Sequence, residues 1–547
     1  MATISGSRLV AKALKDQGAE VVFFLTGGPI IGAAFSCTQY GIKMVDVHHE
    51  QAAAMAAHGW GRVKGKPGVC MAAAGPGVTN LVTGVAAAYM DCFPLVVLGG
   101  SSAIRQEWME AFQEIDQVAM MKPITKWAAR VTRTERIPEY IAMAFRHAQG
   151  GRPGPVYLDL PGDILNSRAE DTAVNYPPAF IQMKPQGNPE SVAKAVELLS
   201  KAERPIIVSG TGVLLSHAAS ELKEFSEKFG IPAFTTPQGR GVIPEDHPLC
   251  PTAARSFAFR EADVVLTVGT RFNFVISFGR SPRFAKDAKM IQVDIDAEHI
   301  GNNRPVEVGI VGDAGMVLRQ LIDMGKGIIK NRADSAWVKK LQDVNKEKQS
   351  AQQAIVNSDQ IPMHPARMCK EIGDFMDRDA ILTVDGNVTL NWGRQVIPTY
   401  QPGHRLNCGP FGCLGVGIPF GIGAKVAKPD KQVIVLNGDG AFGLNAMEMH
   451  TAVKHNLPII VVINNNSGWD HQYEDPKAGA VGSFIGDKVR YDQMVATLGG
   501  YGELVEKPQD IRPALERAAA SGKPACINII TDKYVAGETL DFYGYAL

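Results

Sequence analysis

The chain has 547 residues, and at about 100–200 residues per domain that length points to roughly three domains rather than one core. Lys plus Arg number 56 and Asp plus Glu number 56, so the formal net charge is zero. That balance excludes a nucleic-acid binder working through a basic surface, and with no basic tail or acidic run a charge-steered partner is not expected either.

Up to about residue 165, short apolar runs end in glycine and helical patterns follow them. Val21–Leu25 leads into Thr26-Gly27-Gly28-Pro29, Gly68–Ala72 into Gly75-Pro76-Gly77, and Pro94–Leu98 into Gly99-Gly100. Pro155–Pro161 closes this first block. Residues 166–188 are polar, carry Pro177-Pro178 and Pro185, and read as a linker. A second block over 189–335 repeats the pattern, with strands predicted at Pro205–Val208, Asp263–Val268 and Met290–Asp294. A charged helical stretch over 336–356 reads as a connector. The third block, 360–547, has strands predicted at Ala380–Val384, Gln432–Leu436, Ile459–Ile463 and Cys526–Ile530. Buried strands alternating with helices give an α/β chain of three doubly wound parallel-sheet domains, with ligands at the carboxyl ends of the strands. The 56 glycines suit many tight strand-to-helix turns.

No apolar run of about 18 residues is free of charges or breakers, so no membrane span is expected. The start, Met1–Gly6, lacks a basic segment followed by an apolar one and does not read as a secretory signal. The eight cysteines are scattered without a C-x-x-C pair and read as reduced thiols, which places the chain in the cytoplasm.

The most specific motif lies in the third block. One predicted strand ends in Asn437-Gly438-Asp439-Gly440-Ala441, a helix containing Glu448 follows, and a second strand ends in Asn464-Asn465-Asn466-Ser467-Gly468. Asp439 and Asn466 are 27 positions apart, which fits strand, helix and strand and puts both at the tops of parallel strands. A carboxylate and an amide oxygen suit Mg²⁺ completed by phosphate oxygens and a backbone carbonyl. The helix after Ala441 is expected to point its N-terminus at that anion.

Gly438-Asp439-Gly440 followed by Asn465-Asn466 resembles the signature of the thiamine diphosphate-dependent enzymes, and the resemblance covers essentially the whole chain. It implies a pyrimidine-binding domain over 1–165, a middle domain over 189–335 and a diphosphate-binding domain over 360–547. It implies Mg²⁺ ligands at Asp439, Asn466 and the Gly468 carbonyl, with Gly438, Gly440, Ala441 and Trp469 beside the cofactor. His48-His49-Glu50-Gln51-Ala52-Ala53 resembles the segment that supplies the activating carboxylate, so Glu50 is expected to share a proton with the aminopyrimidine ring and favour the tautomer that deprotonates the thiazolium. Gly409–Gly415 matches the segment that bends the cofactor; Leu414 is the expected apolar wedge and the Gly412 carbonyl the acceptor for the 4′-amino group. Gly28, Gly75 and Asn387 are expected to border the cofactor. Glu50 and Asp439 meet across a subunit interface in this family, which implies a homodimer at least and a homotetramer as the expected assembly.

For the reaction, the second block is similar to 2-hydroxyacyl-CoA lyases and oxalyl-CoA decarboxylases, which keep ADP or the CoA tail there. Arg152, Arg271, Arg283, Asp294, Ile295 and Asp313 are the candidate nucleotide contacts. The alternative is inherited packing, since related acetolactate synthases place FAD at this domain and some lyases place nothing. Phe112-Gln113 stands where the decarboxylases have Tyr-Glu, and Gln113 is a candidate to orient a hydroxyl or carbonyl near the reacting carbon. Gly28 is smaller than its counterpart in acyl-CoA lyases and Pro29 stands where benzaldehyde lyase has a histidine. The leading expectation is a lyase cleaving 2-hydroxyacyl-CoA to formyl-CoA plus an aldehyde or ketone. The rivals are a CoA-independent carboligase or lyase acting on 2-hydroxy ketones, resembling benzaldehyde lyase, and an acetolactate-synthase-like enzyme using pyruvate. Trp469–Glu474 and Leu540–Leu547 are expected to form a lid, with His471 lining the pocket.

Overall fold

The computed structural model describes residues 2–471 and 481–536. The first eight strands are β1 (Thr3–Ser5), β2 (Val21–Phe24), β3 (Lys43–Asp46), β4 (Gly68–Ala72), β5 (Leu95–Ser101), β6 (Trp127–Arg130), β7 (Pro155–Pro161) and β8 (Arg168–Glu170). Six of them form a sheet in the order β3-β2-β4-β5-β7-β6, parallel throughout. The middle sheet holds β9 (Pro205–Ser209), β10 (Ala233–Thr235), β11 (Val264–Val268), β12 (Lys289–Asp294) and β13 (Val308–Val311) in the order β10-β9-β11-β12-β13. The last sheet holds β14 (Ile381–Asp385), β15 (Arg405–Leu406), β16 (Val433–Gly438), β17 (Ile460–Asn465), β18 (Tyr501–Val505) and β19 (Ala525–Ile530) in the order β15-β14-β16-β17-β19-β18.

β4, β5, β7, β9 and β11 are buried along their whole length, as parallel strands covered by helices on both faces must be. The polar stretch expected as linker is structured at its start: β8 pairs antiparallel with β1, so residues 168–170 tie back to the N-terminus. Among the described residues no helix is long and apolar enough to cross a membrane.

Two helices lock the first and last domains together. Glu50–Lys64 is capped by the His49 side chain, which accepts from Gln51 N at 3.1 Å, and stops at Gly65 in the left-handed region. It crosses the fully buried helix Gly417–Ala427. A Cβ on Gly423 would lie 2.2 Å from the Ala56 carbonyl oxygen and 2.7 Å from Trp60 N, and one on Gly59 would lie 2.8 Å from Phe420 Cα. Backbone therefore meets backbone, and one hydrophobic core runs through both domains from Trp60 to Phe420 and Ile463. The expected effect of Gly423→Ala is a loss of about 1–3 kcal/mol by overpacking. Gly443→Ala, where an added Cβ meets nothing within 4 Å, leaves stability unchanged. Urea midpoints of the two variants check this.

Candidate functional site

The end of β16 and the end of β17 bring the metal-loop residues together. Asp439 is 2 % exposed; its Oδ1 accepts from Gly440 N at 2.8 Å and its Oδ2 from Gly468 N at 3.0 Å. Burial pushes its carboxyl up to about 7 against those backbone donors. Asn465 faces away from this loop, donating to Asn528 Oδ1 and to the Val489 carbonyl. Asn466 donates through Nδ2 to Asp470 O at 2.8 Å, so its amide oxygen is the end a cation would use. Ser467 in the left-handed region turns the chain so that Gly468 comes back to Asp439. One carboxylate, one amide and one carbonyl are a hard-oxygen set that fits Mg²⁺ with phosphate oxygens in its remaining positions. Among the described residues no group of three or more His, Cys, Asp or Glu offers another place for a metal. The Trp469 ring lies on the loop, 2.6 Å from where a Gly440 Cβ would be.

The helix after this loop differs from expectation. It starts at Asp439 and ends at Leu444, six residues, and Glu448 opens a second helix, Glu448–Lys454. Asn445 breaks the run by donating to Gly415 O at 2.6 Å. One and a half turns carry little macrodipole, so the helix N-terminus expected to face an anion is weak here.

Glu50 opens its helix and is 6 % exposed. Its Oε2 accepts from Asn80 Nδ2 at 2.9 Å, and its Oε1 lies 3.4 Å from a would-be Cβ on Gly77. Gly75, at φ 59°, abuts the Gln113 carbonyl and Cβ, and Gln113 itself sits at φ 63°. The Gly28 carbonyl accepts from Ala74 N at 3.2 Å. Gly28, Gly75, Gln113 and Glu50 thus share the carboxyl end of the first sheet. Sequence reasoning missed Gln117, which is fully buried. It accepts from Gly75 N at 2.6 Å while donating to Asp159 at 2.7 Å, and so fixes the Gly75 turn. A polar residue with no exposed role inside an apolar helix was the available signal. Asn80, one turn along the helix that Pro76 opens, was missed for the same reason.

Glu448 joins the two halves. Its carboxylate accepts from His48 N at 3.0 Å and His49 N at 3.1 Å, just before Glu50, and from Thr451 Oγ1 at 2.6 Å. Lys454, which ends the same helix, and His455, which follows it, pair with Asp46. Asn387 Nδ2 donates to Asp470 Oδ1 at 3.3 Å, and His471 Nδ1 lies 3.4 Å from Asp470 Oδ1. Gly412 is exposed, at φ 69°, and Leu414 is half-buried in the loop Gly409–Gly415. The expected lid beyond His471 and the tail after residue 536 lie outside the described residues.

A cavity of about 550 Å³ opens between the three sheets. Arg271, Asp294, Ile295 and Asp313 line it at the carboxyl ends of β11 to β13, and Arg152 lines it from the first domain, just before β7. Asp294 is buried, which raises its carboxyl; Asp313 is occupied as a helix cap, accepting from Gly315 N and Met316 N. Arg283 is a correction: it is not in the lining, because it donates to Ser256 Oγ at 2.9 Å and stands over the Phe259 ring at 5.6 Å. Arg255 takes the place expected of it. Its Nε and Nη2 are buried without a hydrogen-bond partner, and burial together with Arg283, Arg394 and Arg240 pushes its guanidinium down to about 9. Asn387, Asn391 and Arg394 line the same end of the cavity.

Three domains set around one inter-sheet cavity, with a hard-oxygen loop on one and a buried glutamate on another, define a cofactor-dependent α/β enzyme. The chain matches the thiamine pyrophosphate enzyme N-terminal binding domain over residues 4–120, the central domain over 192–321 and the C-terminal binding domain over 386–529. It belongs to the thiamine pyrophosphate enzyme family. It is 35 % identical to 2-hydroxyacyl-CoA lyase 1 of Homo sapiens over 563 residues, 99 % of this chain and 96 % of that protein. It is 37 % identical to acetolactate synthase large subunit IlvG of Mycobacterium tuberculosis over 539 residues, 98 % and 97 % of the two chains. A 2-hydroxyacyl-CoA lyase of Arabidopsis thaliana is 33 % identical over 569 residues, 98 % and 97 %.

Burial pushes the Glu448 carboxyl up to about 7 from an ordinary value of 4.5. A raised value in the fold means the stabilising contribution is complete below pH 4.5 and lost as pH rises through 7. Between pH 5 and pH 8 the protein is expected to lose up to about 3 kcal/mol from this group. Glu448→Gln, which keeps an acceptor for both histidine N–H groups, removes that part of the pH dependence. Urea midpoints at the two pH values measure it.

Proposed function

We propose that the chain is a thiamine diphosphate- and Mg²⁺-dependent lyase. It cleaves 2-hydroxyacyl-CoA between the thioester carbonyl carbon and the carbinol carbon, giving formyl-CoA and an aldehyde or ketone, and it runs the reverse condensation. The observation that carries this reading is the cavity. Arg152 and Arg271 at one end suit a nucleotide, and the partnerless guanidinium nitrogens of Arg255 at the other suit further phosphate. A CoA ester brings both, whereas a 2-hydroxy ketone brings neither, and the FAD of the related synthases is the competing occupant of this cavity.

When bound, thiamine diphosphate supplies a nucleophilic carbon and an electron sink. Glu50, desolvated beside Asn80, holds the proton at the aminopyrimidine ring nitrogen. Asp439, the Asn466 amide oxygen and the Gly468 carbonyl hold Mg²⁺, with Gly438, Gly440, Ala441 and Trp469 around the diphosphate. The Gly412 carbonyl accepts from the 4′-amino group, Leu414 is the wedge, and Asn387 borders the ring. Gln113 orients the substrate hydroxyl or carbonyl, and Gly28 leaves room for a branched or ketone-derived substituent.

The active assembly is a homodimer at least, and in this reading a homotetramer. Trp108, Met109 and Phe112 project from the first domain at 82 %, 69 % and 87 % exposure, beside the Gly75–Gln113 corner. Phe411, Leu444, Trp469 and Phe484 are exposed around the metal loop. Two apolar patches at the two half-sites suit each other across a two-fold axis.

Incubation with thiamine diphosphate, Mg²⁺, formyl-CoA and an aldehyde or ketone is expected to yield 2-hydroxyacyl-CoA, and denaturation of the pure protein to release ADP or CoA. Glu50→Gln lowers that turnover by about 100-fold or more while the fold persists. Turnover of benzoin-type ketones without the CoA product would favour the carboligase. Flavin release and acetolactate formation from pyruvate would favour the synthase.

A further inference from the structure

The Gly409–Gly415 loop is held from below by a group with no role in the chemistry above. Asp91 follows the helix Pro76–Met90 and is 5 % exposed, at the meeting point of the three domains. Its Oδ2 accepts from Gln238 Nε2 of the middle domain at 3.1 Å and lies 3.4 Å from His58 Nε2 and 3.8 Å from Arg62 Nη1 of its own domain. Its Oδ1 has no hydrogen-bond partner and points at the loop: a Cβ on Gly409 would stand 1.8 Å from that oxygen and 2.4 Å from Gln238 Nε2. Gly409 sits at φ 58° and opens the turn that leads to Gly412 and Leu414.

The neighbouring residue is clamped by the same groups. The Asn407 carbonyl accepts from Gln238 Nε2 and from Arg62 Nη1, both at 3.3 Å, and Asn407 Oδ1 accepts from Gly409 N at 3.0 Å. Arg62 also donates to the Arg405 carbonyl at 3.3 Å. From the other side, Arg271 in the cavity donates to the Met90 carbonyl at 2.5 Å, one residue before Asp91. The corner that launches the loop therefore has one polarity throughout. Donors from Arg62 and Gln238 need acceptors, and Asp91 is the acceptor placed directly against Gly409.

We infer that Asp91 is a positioning residue for the proposed reaction: its carboxylate, gripped by Arg62 and Gln238, sets the backbone of Gly409 and through it the height of the Gly412 carbonyl and Leu414. The inference rests on the reading that this loop holds the aminopyrimidine. Asp91→Asn removes the charge that faces Arg62 and His58; with its amide oxygen kept on Gln238 Nε2, it sets an N–H in the Oδ1 position against Gly409. Asp91→Glu keeps the charge but drives a longer side chain into Gly409, where no space exists. Asp91→Asn combined with Gln238→Glu returns a carboxylate to this corner but removes the donor that holds the Asn407 carbonyl, so it separates the charge from the clamp.

The test is the rate at which the thiazolium C2 proton of thiamine diphosphate exchanges with deuterated solvent on the Mg²⁺-loaded protein, followed by NMR, beside kcat and the dissociation constant of the cofactor. Asp91→Asn and Asp91→Glu are expected to slow exchange and kcat about 10- to 100-fold, with the cofactor dissociation constant changed less than about 3-fold. The double variant is expected to stay as slow as Asp91→Asn, because the Asn407 carbonyl has lost its Gln238 donor. Unchanged exchange in Asp91→Asn overturns the inference. So does a loss explained by weaker cofactor binding or by a lowered melting temperature. Exchange needs no substrate, so wild-type exchange without a CoA product would sink the proposed reaction and leave the Asp91 assignment standing. Absence of wild-type exchange would sink the shared premise.

Discussion

The relation between the first and last domains is set by a contact with no room for a side chain. Gly59 and Gly423 let the helices Glu50–Lys64 and Gly417–Ala427 cross at backbone distance. The helix that begins with Glu50 is therefore also the helix that locates the C-terminal sheet. Glu448 reinforces that lock at its other end by taking the His48 and His49 N–H groups. Any movement of the C-terminal domain is passed to the residue before the glutamate. The same close crossing shares one core between two sheets, which is why the metal-loop side and the glutamate side cannot be treated as independently folding units.

The strands that the sequence made legible are those buried on both faces. Gly68–Ala72 and Pro155–Pro161 appear with the predicted limits, because a run of apolar residues bounded by Gly and Pro has few other uses. The strands that escaped are edge strands. Lys43–Asp46, Trp127–Arg130 and Tyr501–Val505 are half-buried and mix polar with apolar residues, so their pairing with β2, β7 and β19 decides them. β8 was hidden in a polar stretch because its partner, β1, lies at the other end of the first domain. The broken helix after Asp439 depends on Asn445 finding the Gly415 carbonyl, a contact 30 residues away in sequence.

The site divided in the same way. Asp439 and Asn466 stood out because their residue types and spacing are unusual for plain packing, and Glu50 through the resemblance of its segment to the family, since an acid opening an Ala-rich helix is otherwise an ordinary cap. Asn80, Gln117 and Arg255 did not, since each looks like an ordinary helical or loop residue until the fold shows what it faces. Arg283 shows the reverse: the resemblance of its segment to the lyases suggested a nucleotide contact, but its side chain turns to Ser256 and stays out of the cavity lining. A side chain's neighbours across a sheet are not written in its own segment.

The Arg255 guanidinium has a consequence for how much of this protein a cell holds. Two buried N–H groups without acceptors cost the fold about 1–3 kcal/mol each. An anion that satisfies them stabilises the native state by mass action, in proportion to the logarithm of its concentration over its dissociation constant. Because the cavity is walled by all three domains, that gain opposes opening anywhere along the chain. A ligand bound there would act as a resident part of the fold, and its supply would set the chain's resistance to unfolding and proteolysis as well as its turnover.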